Sequence, residues 1–113
     1  MKSYVDLDQA RKLAEILPLE SADMCYINGK AHLGFLYEEY KEVGDTVLQD
    51  YEPCWSLTSL LMVIPKPSLF SANDGKEWYC NAEPNKMYFS GRYDNPIDAC
   101  YEMIVKLYKM NLL

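Results

Sequence analysis

Asp94-Asn-Pro-Ile-Asp-Ala-Cys-Tyr-Glu-Met-Ile-Val-Lys-Leu-Tyr-Lys109 is the stretch that decides the fold. Asn95 is a good helix cap, Pro96 sits where a first helical residue tolerates a missing N–H, and Asp98 completes a capping-box-like pair. Ile97, Cys100, Tyr101, Ile104, Val105 and Tyr108 recur at helical spacing as one apolar stripe. Lys106 and Lys109 lie near the end, where cations suit the helix dipole. A stripe that broad requires a partner surface, and a sheet is the simplest one.

The residues before the helix supply that sheet. Leu69-Phe70 starts an extended piece, and Ala72-Asn-Asp-Gly-Lys76 is a tight turn carrying the Asp-Gly hairpin dipeptide. Residues 77–81 and 86–92 read as strands joined by a turn at 82–85. Trp78 and Cys80 share one face of the first strand, and Met87 and Phe89 share one face of the second. Further upstream, Asp23–Ile27 and Lys30–Phe35 flank Asn28-Gly29, the strongest two-residue hairpin signal.

Two more helices are expected. The first starts near Asp6, whose pairing with Gln9 is a capping-box signature, and ends at Pro18. Ala10, Leu13, Ala14 and Leu17 mark its buried face. The second is bracketed by Pro53 and Pro65 and has no charge between Glu52 and Lys66, which predicts a deeply buried helix with Ser56 as its cap. The expected fold is therefore α+β: an antiparallel sheet of three to five strands with about three helices packed mainly on one face, in one domain over 1–113. Trp55, Leu61, Trp78, Phe89 and Ile104 are the expected core.

Composition narrows the function classes. The 113 residues are 50% hydrophobic and 25% charged, which is ordinary globular composition. Eleven Lys and Arg against 17 Asp and Glu leave a net charge of −6. That disfavours nucleic acid as a partner, because phosphate binding needs clustered cations. No run reaches membrane-span length and the N-terminus has no signal-peptide core, so the chain reads as cytoplasmic with no membrane partner. Cys25, Cys54, Cys80 and Cys100 are dispersed and sit among apolar residues, as buried free thiols do. They form no Cys-x-x-Cys pair, and His32 is the only histidine, so no metal site is expected. No Gly-rich phosphate loop is present and no cofactor is implied.

The catalytic candidates are few. Ser56 and Ser59 lack the Gly-x-Ser-x-Gly context and a histidine partner, and His32 has no nucleophile or carboxylate at a telling spacing. No catalytic residue is assigned and the expectation is a non-enzymatic protein. Residues 37–52 carry Glu38, Glu39, Glu42, Asp45, Asp50 and Glu52 against one Lys41, with Tyr37, Tyr40 and Tyr51 interleaved. As structure this is a solvated loop or a poorly formed strand pair. As function it is a protein-binding surface, because tyrosine is enriched at interfaces. Arg92 precedes the cap at Asn95; it either reaches an anion at the helix N-terminus or pairs with a nearby carboxylate. With Lys86 and neighbouring aromatics it defines the alternative function, a small-ligand or nucleotide-binding module.

Three segments together carry a resemblance: Leu-Pro-Leu-Glu-Ser-Ala-Asp-Met at 17–24, Pro-Cys-Trp-Ser-Leu-x-x-Leu-Leu-x-x-Ile-Pro at 53–65, and Asn-Pro-Ile-Asp-Ala-Cys-Tyr-Glu-Met-Ile at 95–104. The chain resembles small uncharacterised proteins encoded by gut Bacteroides-type bacteria, their prophages and phages. The resemblance covers most of the chain and leaves 37–52 and 68–92 as its variable parts. It implies a mobile-element or phage origin and a small intracellular domain, and it brings no functional residues. The leading expectation is a domain that binds a protein, either a host protein or a second copy of itself.

Overall fold

The computed structural model describes residues 1–34 and 51–113. The class is α+β, with two antiparallel sheets of three strands each and three α-helices among the described residues. The chain forms two compact units: Tyr4–Ser59, and Leu60–Leu113 together with Met1–Ser3.

In the first unit, α1 spans Leu7–Ile16. Asp6 accepts from the Gln9 backbone at 2.8 Å, and the Gln9 side chain accepts from the Asp6 backbone at 3.0 Å, so the predicted capping box forms. Ala10 and Leu13 are buried, and the helix stops before Pro18. A 3-10 turn at Leu19–Ser21 leads into β1 (Met24–Ile27) and β2 (Lys30–Leu33). Asn28 and Gly29 make the turn between them, both with positive φ, 53° and 79°, which a two-residue hairpin of this kind requires.

The third strand of this sheet is β3, Tyr51–Cys54, paired to β1 in the order β2-β1-β3. Here the structure departs from the expected helix over 53–65: Pro53 sits in a strand. An edge strand accommodates proline because one side of it needs no ladder donor. The helix that follows, α2, covers only Leu57–Val63. Ser56 caps it as expected, its Oγ accepting from the Ser59 backbone at 3.4 Å. The Ser56 backbone and hydroxyl both donate to the Asp23 carboxylate. Nor is α2 buried all round, because Met62 is 81% exposed.

Trp55, between β3 and α2, is fully buried, and its indole Nε1 donates to Ser21 Oγ at 2.9 Å. The backbone of Val5 donates to Trp55 O at 3.1 Å, and the Val5 carbonyl accepts from Tyr26 Oη at 2.8 Å and from Cys54 Sγ at 3.7 Å. The segment before α1 is thereby tied to all three neighbouring pieces of this unit.

The second unit is the predicted meander followed by the capped helix. The strands β4 (Ser68–Ala72), β5 (Glu77–Ala82) and β6 (Tyr88–Phe89) lie in that order, and α3 spans Pro96–Lys109. The β4–β5 loop holds Asn73, Asp74 and Gly75 all at positive φ. Asn95 Oδ1 accepts from the Asp98 backbone at 2.8 Å, and Asn95 Nδ2 donates to the Asp98 and Asp94 carboxylates at 2.8 Å each. The buried stripe of α3 is Ile97, Cys100, Met103, Ile104 and Leu107. Relative to the expected stripe it is rotated: Tyr101 and Val105 are half-buried and Tyr108 is 46% exposed.

The expected strand over 86–92 is also shorter than predicted. Pairing holds at Ala82–Tyr88 and Asn81–Phe89, then resumes at Trp78–Tyr93. Two residues of β5 thus oppose Ser90, Gly91 and Arg92, a bulge of one residue. Ser90 Oγ fills the gap by accepting from the Cys80 backbone at 2.8 Å. Of the expected core, Trp55 and Ile104 are fully buried, Trp78 and Leu61 are half-buried with Leu60 taking the interior place, and Phe89 is 56% exposed.

Replacing the cap should show how much α3 rests on it. Asn95→Ala is expected to lower unfolding free energy by about 1 kcal/mol in urea titration, whereas Asp8→Ala on the exposed side of α1 should change it by less than about half that.

Candidate functional site

The register of the C-terminal sheet separates two faces. Trp78, Cys80 and Ala82 lie on one, with Leu69 and Tyr88 opposite them. This is the face α3 covers: Cys80, Ala82 and Cys100 of α3 are fully buried, and Cys80 Sγ donates to the Asn81 carbonyl at 3.7 Å. Glu77, Tyr79 and Asn81 lie on the other face, opposite Ala72, Phe70 and Ser68 on β4, with Phe89 of β6 beside Asn81.

This second face is aromatic and accessible. The Phe70 and Tyr79 rings stack with centroids 5.2 Å apart and planes 16° from parallel. Phe70 is 42% and Phe89 56% exposed. Met87, just before β6, is exposed as well, while Lys86 Nζ stands 5.6 Å from the ring centroid of Tyr88, a residue of the covered face. At one end Arg92, brought round by the bulge, pairs through Nη1 with Glu77 Oε2 at 3.2 Å. Asn81 is buried, and its Oδ1 is a buried acceptor without a hydrogen-bond partner. The face thus combines stacked rings, an exposed ion pair and one buried acceptor in need of a donor.

The other predicted residues fall elsewhere. Tyr37 and Tyr40 lie outside the described residues, and Tyr51 falls in β3. Arg92 meets Glu77 instead of the α3 cap, where Asn95, Asp94 and Asp98 already satisfy one another and Lys2 Nζ pairs with Asp98 at 2.9 Å. The N-terminus of α3 therefore carries carboxylates of its own. His32 is exposed on β2, and the register sets it opposite Cys25, whose thiol is buried. That juxtaposition escapes spacing arguments because it arises across the Asn28-Gly29 turn, and His32 makes no hydrogen bond with a described residue.

Phe70 and Tyr79 were within reach of sequence reasoning. A loop centred on Asp74-Gly75 with four residues aligns Ala72 with Glu77, and two steps further it aligns Phe70 with Tyr79. The missing signal was the bulge, which delivers Arg92 to Glu77.

Elsewhere the described residues offer less. A groove of about 170 Å³ lined by Ala10, Arg11, Ala14, Glu52 and Pro53 is below the usual range for small-molecule sites, and the 2.9 Å Arg11–Glu52 ion pair lies in its wall. Among the described residues no group of three His, Cys, Asp or Glu side chains is placed to hold a metal ion, and no helix is long and apolar enough to cross a membrane. All four cysteines are buried thiols outside any disulfide. Burial pushes the Cys54 thiol up to about 12 and the Tyr26 phenol up to about 12. The interaction between the Cys80 and Cys100 thiols lowers Cys80 against the effect of its burial, and together with burial it drives Cys100 far above the ordinary thiol range. Thiols such as Cys54 and Cys100, held neutral, are poor nucleophiles.

No family model, curated protein or solved structure matches the chain.

The raised Tyr26 and Cys54 groups set a pH dependence. Both stay neutral in the folded chain to a higher pH than in the unfolded one, where a thiol ionises near 9.0 and a phenol near 10.0. The unfolded chain therefore binds fewer protons above pH 9, and stability falls as pH rises towards 12, through Cys54 first and through Tyr26 from about pH 10. Urea midpoints should be highest near neutral pH and drop steeply between pH 9 and 11, and Cys54→Ala should make that drop shallower.

Proposed function

We propose that the protein is a non-enzymatic domain that binds another protein, using the open face of its C-terminal sheet. The observation that carries this reading is the stacked Phe70–Tyr79 pair beside exposed Phe89, on the face that α3 leaves uncovered. Contiguous exposed aromatic area of this kind is characteristic of interaction surfaces, where rigid aromatic anchors and arginine supply most of the binding energy. Arg92, held at the edge by Glu77, gives the aromatic patch a polar rim. The resemblance to proteins of Bacteroides-type bacteria and their phages points to a host component as the partner. The acidic segment with Tyr37, Tyr40 and Tyr51 is the competing surface for the same role.

A second reading rests on Asn81. A small planar ligand, such as a nucleotide base, stacking on the rings and donating an N–H to Asn81 Oδ1 would satisfy that orphaned acceptor. A nucleotide that raises the melting temperature of the wild type, but not of Asn81→Ala, would favour it over a protein partner.

The decisive comparison is quantitative affinity capture from cells that encode the protein, with wild type and the double variant Met87→Ser/Phe89→Ser as baits. Both side chains are exposed, so melting temperature should be unchanged within a few degrees. A specific partner should be depleted at least tenfold by the double variant. Retention by that variant, with loss on Tyr37→Ala/Tyr40→Ala/Tyr51→Ala, would move the surface to the acidic segment.

A further inference from the structure

A sheet edge exposes a row of backbone N–H and C=O groups, and proteins usually blunt it with charge, proline, bulges or shortness. Three of the four described edges follow that rule. On β3 there is Pro53, and Glu52 is engaged by Arg11. On β2 there are Lys30 and His32. β6 is two residues long, ends in the bulge, and has Lys106 Nζ donating to the Phe89 carbonyl at 2.8 Å.

β4 is different. Ser68-Leu-Phe-Ser-Ala72 has no charge and no proline, and it pairs with β5 without interruption over all five residues. Among the described residues no strand lies beyond it and no backbone hydrogen bond leaves its outer side. Phe70 and Ser71 are exposed. The chemistry that complements such an edge is an extended polypeptide backbone, which alone presents donors and acceptors at the strand repeat.

We propose that this edge pairs with the same edge of a second copy of the chain, antiparallel about a two-fold axis at Phe70. Two observations select a copy over an unrelated strand. The chain carries a net charge of −6, yet β4 is uncharged, so two copies can meet here without carboxylates opposed along the strand. The flanks are also self-complementary: Lys66 lies two residues before β4 and Asp74 two residues after it, both exposed. A register that sets Phe70 against Phe70 and Ser68 against Ala72 brings Lys66 of each copy to the end occupied by Asp74 of the other. The product is a continuous six-stranded sheet in which the two Phe70–Tyr79 stacks form one row of four rings. An interface built this way is isologous and closes on itself.

The full chain should sediment at twice its 13.1 kDa mass at tens of micromolar protein. Phe70→Lys and Phe70→Glu should each run as folded monomers, because the register places like charges face to face. Mixed in equal amounts, they should regain the dimer mass. If either variant fails to fold by circular dichroism, the charge pair replaces it. Lys66→Asp and Asp74→Lys should each weaken the dimer, by roughly twofold to tenfold in Kd, and the double variant should restore it. A wild type that stays monomeric, charged variants that keep the dimer mass, or a folded mixture that does not reassociate would each overturn the pairing. The Lys66 and Asp74 variants leave the aromatic face untouched, and the partner-binding reading is tested at Met87 and Phe89 by the other edge strand, so failure of the pairing and failure of that reading are told apart.

Discussion

α3 buries Ile97, Cys100, Met103, Ile104 and Leu107, and a three-stranded sheet offers it only one face at a time. Each of these side chains is worth about 1.5–3 kcal/mol when removed from water, with Cys100 the smallest contributor. The face of β5 that meets the helix is the one whose side chains share that burial. Trp78, Cys80 and Ala82 turn towards the helix, and strand alternation then forces Tyr79 and Asn81 to the opposite side. The open aromatic face is thus the geometric counterpart of the helix burial.

The bulge at Ser90–Arg92 modifies that arrangement at one end. Without it, the ladder that pairs Asn81 with Phe89 would run on unchanged to Trp78 and set Arg92, not Tyr93, opposite it, on the covered face. The extra residue lets Tyr93 pair with Trp78 and leaves Arg92 free to reach Glu77. Ser90 keeps the ladder saturated through its hydroxyl, so the register shift does not strand the Cys80 N–H. Asn81 is the one buried side chain among those described that this solution leaves short of a partner.

Much of the architecture was legible in local signals. Asp6 with Gln9, Asn95 with Pro96, Asn28-Gly29 and Asp74-Gly75 each specify a cap or a turn within four residues, and each occurs in the structure as read. What was not legible depends on long-range pairing. Pro53 looks like a helix opener until β1 recruits Tyr51–Cys54 as its third strand. Phe89 looks like core until the strand proves to be two residues long. The candidate face was partly hidden for the same reason, since it assembles side chains from three strands and no single window of sequence contains it. Arg92 pairs with Glu77, and the helix start brings its own carboxylates, so the ion-pair reading prevails over the anion reading.

The distribution of sulfur has a practical consequence. Cys25 and Cys54 belong to one compact unit, Cys80 and Cys100 to the other, and all four are shut away from solvent. Each unit therefore contains two native clocks that start only when it opens. The rate at which each thiol becomes alkylated in the intact chain would time the two halves separately, with no probe attached. Equal rates at all four positions would describe one cooperative body, and paired but unequal rates would describe two.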